Sequence, residues 1–262
     1  MKKIILLMIP VLIWGTSCDR EQQVGTIGSL TWTVSGDGTL TINGTGTIPD
    51  YCITPTENLP PWFYDGRNDI TKVIIGNDVS KIGSFAFFRC VNLTSVTFGN
   101  SISAIGVRAF SGCSSLQSVI IPELVTKIED EVFSGCTGLT SVIIPNSVTA
   151  IGNASFYQCE SLLSIIIPNS VTTIGESAFL GCNSMTSVTI GSSVTTIGDD
   201  AFRNCTGLNE IINHQEVPQI VDGWVFRTVS KANCTLYVPA GSVEAYRVAD
   251  GWGDFVNIRA IP

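Results

Sequence analysis

The sequence predicts a mainly β protein: a right-handed solenoid of six 23-residue repeats with a cap at each end. Six cysteines recur every 23 residues, at Cys90, Cys113, Cys136, Cys159, Cys182 and Cys205. The same pattern of apolar residues and glycines surrounds each of them over residues 70–207. The chain is also rich in glycine and only 14% charged, which suits short strands and tight turns. A period this regular is typical of one supersecondary unit copied in tandem, with each copy stacking on the last.

Each repeat follows the pattern LxxVxIPxxVxxIGxxAFxxCxx, in which Leu139 is one example of position 1. The β-branched residues at positions 4 and 6 predict a strand, and Pro or Gly at position 7 ends it. Positions 10 and 13 predict a second extended segment. Glycine fills position 14 in five repeats but Glu129 fills it in the other, so a positive φ is not required there. The Ala-Phe step predicts a single helical or 3₁₀ turn.

Stacking aligns position 18 of every repeat into one column of phenylalanines. The column is Phe87, Phe110, Phe133, Phe156, Phe179 and Phe202. No single repeat can bury its inward residues alone, so we expect stability to come from neighbouring repeats.

Residues 25–69 predict a β-rich N-terminal cap. A Gly-Asp-Gly turn at residues 36–38 separates two alternating segments, which predicts a hairpin. The apolar residues of that hairpin are Trp32, Val34, Leu40 and Ile42. In the following loop, residues 50–65, we expect Trp62 and Phe63 to cover the first repeat.

Residues 208–262 predict a mixed α/β C-terminal cap. Two further strands are indicated by Leu208, Ile211, Leu236 and Val238. Ser242 is a candidate N-cap for a short helix over residues 243–249. We expect Trp252 and Phe255 to seal this end.

Residues 1–17 predict a signal peptide, because Lys2 and Lys3 precede an apolar run and then small residues. Two cleavage chemistries stay open. Gly15 and Ser17 suit ordinary signal peptidase, whereas Cys18 suits a lipoprotein signal in which that cysteine is lipidated. The polar segment after it favours the lipoprotein, with residues 18–24 as a linker.

Removal of residues 1–17 leaves 12 basic against 22 acidic side chains, a net charge of −10. This charge and the absence of a basic stripe predict no nucleic-acid partner. Membrane contact is expected only through an N-terminal lipid anchor.

The repeat resembles the BspA-type (Treponema pallidum-type) leucine-rich repeat, whose pattern LxxLxLPxxLxxIGxxAFxxCxx matches almost letter by letter over residues 70–207. The segments GSLTWTVSGDGTLTINGTGTIPDY and CTLYVPAGSVEAYRVADGWGDFVNI resemble the terminal segments of such proteins. The resemblance implies a leucine-rich-repeat solenoid. It also implies a bacterial outer-membrane or cell-surface lipoprotein, or a secreted protein, with adhesin-like binding to host matrix proteins or other cells.

The sequence indicates no enzyme, cofactor or metal site. The one histidine, His214, follows the last regular repeat and is expected at the surface. No metalloprotease, hydrolase or phosphate-binding motif occurs.

The cysteines allow two interpretations. Disulfides are common in exported proteins, and a buried cysteine also packs as a small apolar residue. The curvature expected at position 21 favours buried thiols, since a disulfide needs Cα atoms about 4.4–6.8 Å apart. Cys52 and Cys234 lie outside the register, and their state is open.

Carboxylates collect at positions 14–16 of several repeats. They are Glu129, Asp130, Glu131, Glu176, Asp199 and Asp200. They could form a Ca²⁺-binding ridge, since that ion takes oxygen ligands, but a solvated edge is favoured because Asn153 and Ala154 interrupt the run.

The outward face of the main sheet is the candidate partner-binding site. Its central residues are Ser118, Ile120, Ser141, Ile143, Ser164 and Ile166. Three isoleucines on an uncharged face form an apolar stripe that could bind a protein. The competing explanation is that cross-strand ladders of Ile and Thr simply stabilise the sheet. A glycan-binding lipoprotein and a structural spacer stay open as alternatives for the whole protein.

Overall fold

The computed structural model describes residues 22–53, 58–63 and 67–262. The predicted leader and Cys18 lie outside these ranges. The fold is a mainly β solenoid of about eight turns with one short α-helix near the C-terminus. This confirms the predicted class, and the coil continues beyond the six repeats. Within the described ranges, no helix has the length and apolar character needed to cross a bilayer.

The strands are short, and those of the repeats come in pairs. In chain order they are β1 (Gln23–Ile27), β2 (Leu30–Val34), β3 (Thr39–Asn43), β4 (Gly46–Thr47), β5 (Lys72–Ile75), β6 (Val79–Ile82), β7 (Ser95–Thr97), β8 (Ala104–Ile105), β9 (Ser118–Ile120), β10 (Lys127–Ile128), β11 (Ser141–Ile143), β12 (Ala150–Ile151), β13 (Ser164–Ile167), β14 (Thr173–Ile174), β15 (Ser187–Ile190), β16 (Thr196–Ile197), β17 (Glu210–Asn213), β18 (Thr235–Val238) and β19 (Asn257–Ala260). The helix α1 spans Val243–Val248.

The first side of the solenoid is the main sheet. It begins with the antiparallel strands β1, β2 and β3, so the predicted hairpin is confirmed and gains one strand. From β3 onward the pairs are parallel, through β5 and β7, then β9 and β11, then β13, β15, β17, β18 and β19. Within the repeats, each residue lies opposite its equivalent 23 residues away.

The second side is a narrower parallel sheet. Strands β4, β6 and β8 form one part, and β10, β12, β14 and β16 form the other. Position 14 follows the strands of this sheet from β6 onward, and its glycines approach neighbouring backbone closely without a positive φ. At Gly83, a Cβ atom would lie 1.8 Å from the Pro49 carbonyl oxygen.

The third side has no helix, so the predicted helical or 3₁₀ turn is wrong. Positions 16 and 20 take left-handed backbone conformations in all six repeats, and position 16 does so without any glycine. The residues at position 16 are Phe85, Arg108, Glu131, Ala154, Ser177 and Asp200, with φ of 50–58°. This alternation directs N–H groups to the next repeat, as in the bond from Phe156 N to Ala178 O at 2.8 Å. Each turn is thereby hydrogen-bonded to its neighbour without a helix.

The predicted phenylalanine column fills the core between the three sides. Neighbouring ring centroids from Phe87 to Phe226 lie 5.0–5.7 Å apart, with interplanar angles of 3–20°. Trp62 extends the stack at one end, 5.6 Å from Phe87. Trp252 closes the other end, 5.0 Å from Phe226. The column is therefore longer than predicted, because both caps contribute rings to it.

The C-terminal cap departs from the prediction in two details. The helix α1 ends at Val248, and the Ser242 side chain makes no capping hydrogen bond. A 3₁₀ turn over Ala240–Ser242 precedes the helix, so Ser242 already has helical backbone angles, which do not suit an N-cap side chain. Strand β19 was not predicted.

Candidate binding surface on the main sheet

The outward row of the main sheet brings the predicted isoleucines to solvent. Ile120, Ile143 and Ile166 are 64%, 54% and 69% exposed. The serines two residues earlier in each strand, Ser118, Ser141 and Ser164, are also exposed. Direct pairing of β9 with β11 sets Ser141 opposite Ser118 and Ile143 opposite Ile120.

Strand periodicity explains why these isoleucines point outward. Successive side chains of a strand point to opposite faces, so the residue between each serine and isoleucine must enter the core. Val119, Val142 and Ile165 occupy that position, and all three are buried. The outward isoleucines are therefore not needed to fill the interior.

The outward row is uncharged over its central strands. In the serine row, Lys72 lies on β5 near one end and Glu210 on β17 near the other. Between them, the positions of β7, β9, β11, β13 and β15 hold serine. We name the exposed serines and isoleucines of β9, β11 and β13 the isoleucine face. This surface can make apolar contacts and neutral hydrogen bonds, and carries no group suited to acid–base chemistry.

The row extends further than the repeat pattern predicts. Ile212 on β17 lies beside Tyr237 on β18, and Tyr237 lies beside Arg259 on β19. These residues were missed because the spacing from Ile212 to Tyr237 is 25 residues, which breaks the register. The alternation in TLYV over residues 235–238 is the signal that could have found Tyr237, because Leu236 and Val238 point inward and the residue between them must point outward.

A shallow depression of about 450 Å³ adjoins the row where the strands end. Ile166, Asn146, Asn169, Ser192 and His214 contribute to its lining. His214 is exposed, as expected, and its backbone N–H donates to the Ile190 carbonyl at 2.9 Å. Asn169 Oδ1 accepts the Ser192 backbone N–H at 2.9 Å, so this asparagine stabilises the turn between repeats.

The six cysteines of the repeats are buried free thiols, which confirms the thiol interpretation for them. Cys234, whose state the sequence left open, is also a buried free thiol. Burial raises the pKa of the Cys136 thiol to about 12, and raises the pKa of Cys234 to a similar value. Each ladder thiol from Cys113 onward donates to a phenylalanine carbonyl 26 residues earlier, as Cys136 does to Phe110 at 3.2 Å. Cys52 is half-buried. The cysteines of the ladder therefore pack as small apolar residues, and burial keeps their thiols protonated.

Four of the six carboxylates of positions 14–16 pair with a nearby cation or accept a backbone N–H, namely Glu129, Asp130, Glu131 and Asp200. Glu131 pairs with Arg108 at 2.5 Å, and Glu129 pairs with Lys127. Asp130 Oδ1 accepts the Asn153 backbone N–H at 2.8 Å. In the part of the chain that the structure describes, no three acidic, His or Cys side chains group to hold a metal ion.

The coiled parallel sheets, the asparagine turns and the inward apolar ladder define a leucine-rich-repeat solenoid. The chain belongs to the BspA type leucine rich repeat family, whose repeat region matches residues 58–183 and 126–236 in six copies. This match indicates no family of enzymes. No curated protein matches the chain.

Several solved bacterial structures are similar. A leucine-rich repeat protein from Eubacterium ventriosum is 19% identical, with a TM-score of 0.44 over 90% of this chain and 83% of that chain. The leucine rich repeat protein of T. pallidum is 20% identical, with a TM-score of 0.42 over 92% and 83%. A leucine rich cell surface protein from Faecalibacterium prausnitzii is 21% identical, with a TM-score of 0.31 over 93% and 96%. Because these scores are low, family membership rests on the repeat pattern.

Proposed function

We propose that this protein is a non-enzymatic recognition protein of the bacterial cell surface, or a secreted one, that binds a protein partner through the isoleucine face. The observation that carries the proposal is the exposure of Ile120, Ile143 and Ile166 in one uncharged row. Contiguous exposed apolar surface on a soluble protein is typical of interaction sites. Leucine-rich-repeat proteins bind other proteins in general, which agrees with this assignment.

We further propose an adhesin-like role, in which the partner is a host matrix protein or a protein of another cell. The long, shallow row suits an extended protein surface better than a small molecule, because small ligands need concave pockets that bury most of their area. The resemblance of the repeat to BspA-type proteins supports the same role.

The proposed location follows from the leader. A signal peptide over residues 1–17 and a lipidated Cys18 would anchor the protein to a membrane by its N-terminus. Metabolic labelling with a fatty acid analogue tests this directly. The full-length protein should incorporate the label, and Cys18→Ala should abolish incorporation. Labelling of the Cys18→Ala variant would contradict the anchor.

A pull-down with the mature chain against matrix and bacterial surface extracts tests the proposed binding. The triple variant Ile120→Lys, Ile143→Lys, Ile166→Lys should lose the captured protein, because three desolvated charges oppose docking. Leu124→Lys is a matched control, since Leu124 is 53% exposed and lies outside the row. Unchanged capture by the triple variant would refute the site. Micromolar glycan binding without any protein partner would refute the adhesin-like role.

A further inference from the structure

A second surface of the solenoid carries an exposed tryptophan. The described tryptophans Trp32, Trp62 and Trp252 are buried, whereas Trp224 is 49% exposed. Trp224 lies on the third side, in the turn that places Phe226 at the end of the phenylalanine column. It is therefore on a different side of the molecule from the isoleucine face.

Two arginines accompany this indole. The guanidinium carbon of Arg227 lies 4.1 Å from the Trp224 ring centroid, and that of Arg203 lies 5.7 Å from it. We name these three residues the Trp224–arginine cluster. The Asp222 side chain fixes the backbone of this turn, because its Oδ1 accepts the backbone N–H groups of Trp224 at 2.8 Å and Val225 at 3.2 Å. The aromatic ring and the cations are thus held together before any ligand binds.

The two arginines differ in their pairing. Arg203 Nη1 lies 3.2 Å from Asp200 Oδ2, whereas its Nε has no hydrogen-bond partner. No carboxylate pairs with Arg227 among the described residues, and its side chain is exposed. Arg227 therefore presents an uncompensated guanidinium against the ring.

The repeat register shows that the fold does not require this indole. The equivalent position, two residues before the phenylalanine of the column, holds Phe85, Arg108, Glu131, Ala154, Ser177 and Asp200 in the six repeats. The turn therefore forms with small, charged or aromatic residues there, so the fold does not require an indole at Trp224.

We propose that the Trp224–arginine cluster binds a saccharide whose sugar ring carries one carboxylate, such as a uronic acid. Arg227 covers one face of the Trp224 indole at 4.1 Å, so a sugar ring would pack its weakly positive C–H groups on the exposed remainder of the ring. A guanidinium matches a carboxylate with two parallel hydrogen bonds, which Arg227 is free to donate. One unpaired cation suits one carboxylate per ring. A nucleic acid would need several cations along its phosphates, and the acidic chain does not supply them.

The test is a titration of the mature chain with glucuronate and galacturonate, using glucose and galactose as neutral counterparts. Saturable change in tryptophan fluorescence is expected with the acidic sugars, since Trp224 is the exposed one among the described tryptophans. Calorimetry then follows the variants. Trp224→Ala should abolish binding, and Arg227→Gln should weaken it by about tenfold or more, as loss of a charge-assisted bond predicts. Circular dichroism should show both variants folded.

Arg89→Gln is the matched control, because the Arg89 guanidinium carbon lies 5.3 Å from the Phe88 ring centroid on the same side of the solenoid. It should bind the acidic sugars as the unaltered chain does. Equal affinity for acidic and neutral sugars, undiminished binding by Arg227→Gln, or no saturable binding up to about 10 mM sugar would each overturn the proposal. The triple lysine variant of the isoleucine face should retain sugar binding, so the two surfaces are tested separately.

Discussion

Replacing Phe156 with alanine removes one ring from the middle of the phenylalanine column. Phe156 is fully buried and stacks on Phe133 at 5.6 Å and on Phe179 at 5.3 Å. Loss of the buried ring costs about 3–5 kcal/mol of unfolding free energy by the large-to-small rule. The two stacked contacts, each about 0.5–1.5 kcal/mol, place the expected loss in the upper part of that range.

Equilibrium unfolding in guanidinium chloride, followed by circular dichroism, measures this loss. The control is Ile143→Thr, which removes an exposed isoleucine from the outward row. Thr97 and Thr189 occupy equivalent positions of that row, so we expect a change within about 0.5 kcal/mol. A loss below about 2 kcal/mol for Phe156→Ala, or an equal loss in both variants, would show that the column does not hold the repeats together.

Three other changes test separate parts of the structure. Ser155→Ala should raise the unfolding free energy by about 1 kcal/mol, because the buried Ser155 hydroxyl has no hydrogen-bond partner; calorimetric melting measures it. Gly83→Ala should lower the melting temperature by several degrees and Gly223→Ala should not. Of these two positions, a Cβ atom would collide with backbone at Gly83 and would meet open space at Gly223. The pKa of Cys136 is raised from 9.0 to about 12, so its protonated thiol stabilises the fold below pH 9. That stability is lost as pH rises from 9 towards 12, by about 1.4 kcal/mol per pH unit for each such thiol, and Cys136→Ala should flatten the dependence of the unfolding midpoint on pH. A midpoint that does not fall above pH 9 would contradict the last prediction.

Repetition made most of the fold predictable from the sequence. A 23-residue period fixes which residues stack, and alternation within each strand fixes which of them enter the core. These two facts predict that Val119 and Ile165 point inward, and that Phe156 lies in the phenylalanine column. The burial of the six repeat cysteines was predictable for the same reason, because they recur at one position among apolar residues that stack in the core.

What the sequence did not show depends on backbone geometry or on broken register. The left-handed residues at position 16 include Arg108, Ala154 and Asp200, and no side-chain preference unites them. Their conformation comes from hydrogen bonds between neighbouring turns, which no single repeat encodes. Strand β18, whose inward residues Leu236 and Val238 were predicted, and Trp224 both lie where the 23-residue spacing fails. The spacing therefore does not predict that Tyr237 lies beside Ile212 or that Arg227 stacks on Trp224.

One measurement tests most directly whether the register decides which residues form the core and which face a partner. Ile165 and Ile166 are adjacent on β13, of the same type, with one buried and the other 69% exposed. The unfolding midpoint in guanidinium chloride should be nearly unchanged by Ile166→Lys. Ile165→Lys should lower it severely or prevent folding, since it buries an unpaired charge. Equal midpoints for the two lysine variants would contradict the assignment of faces.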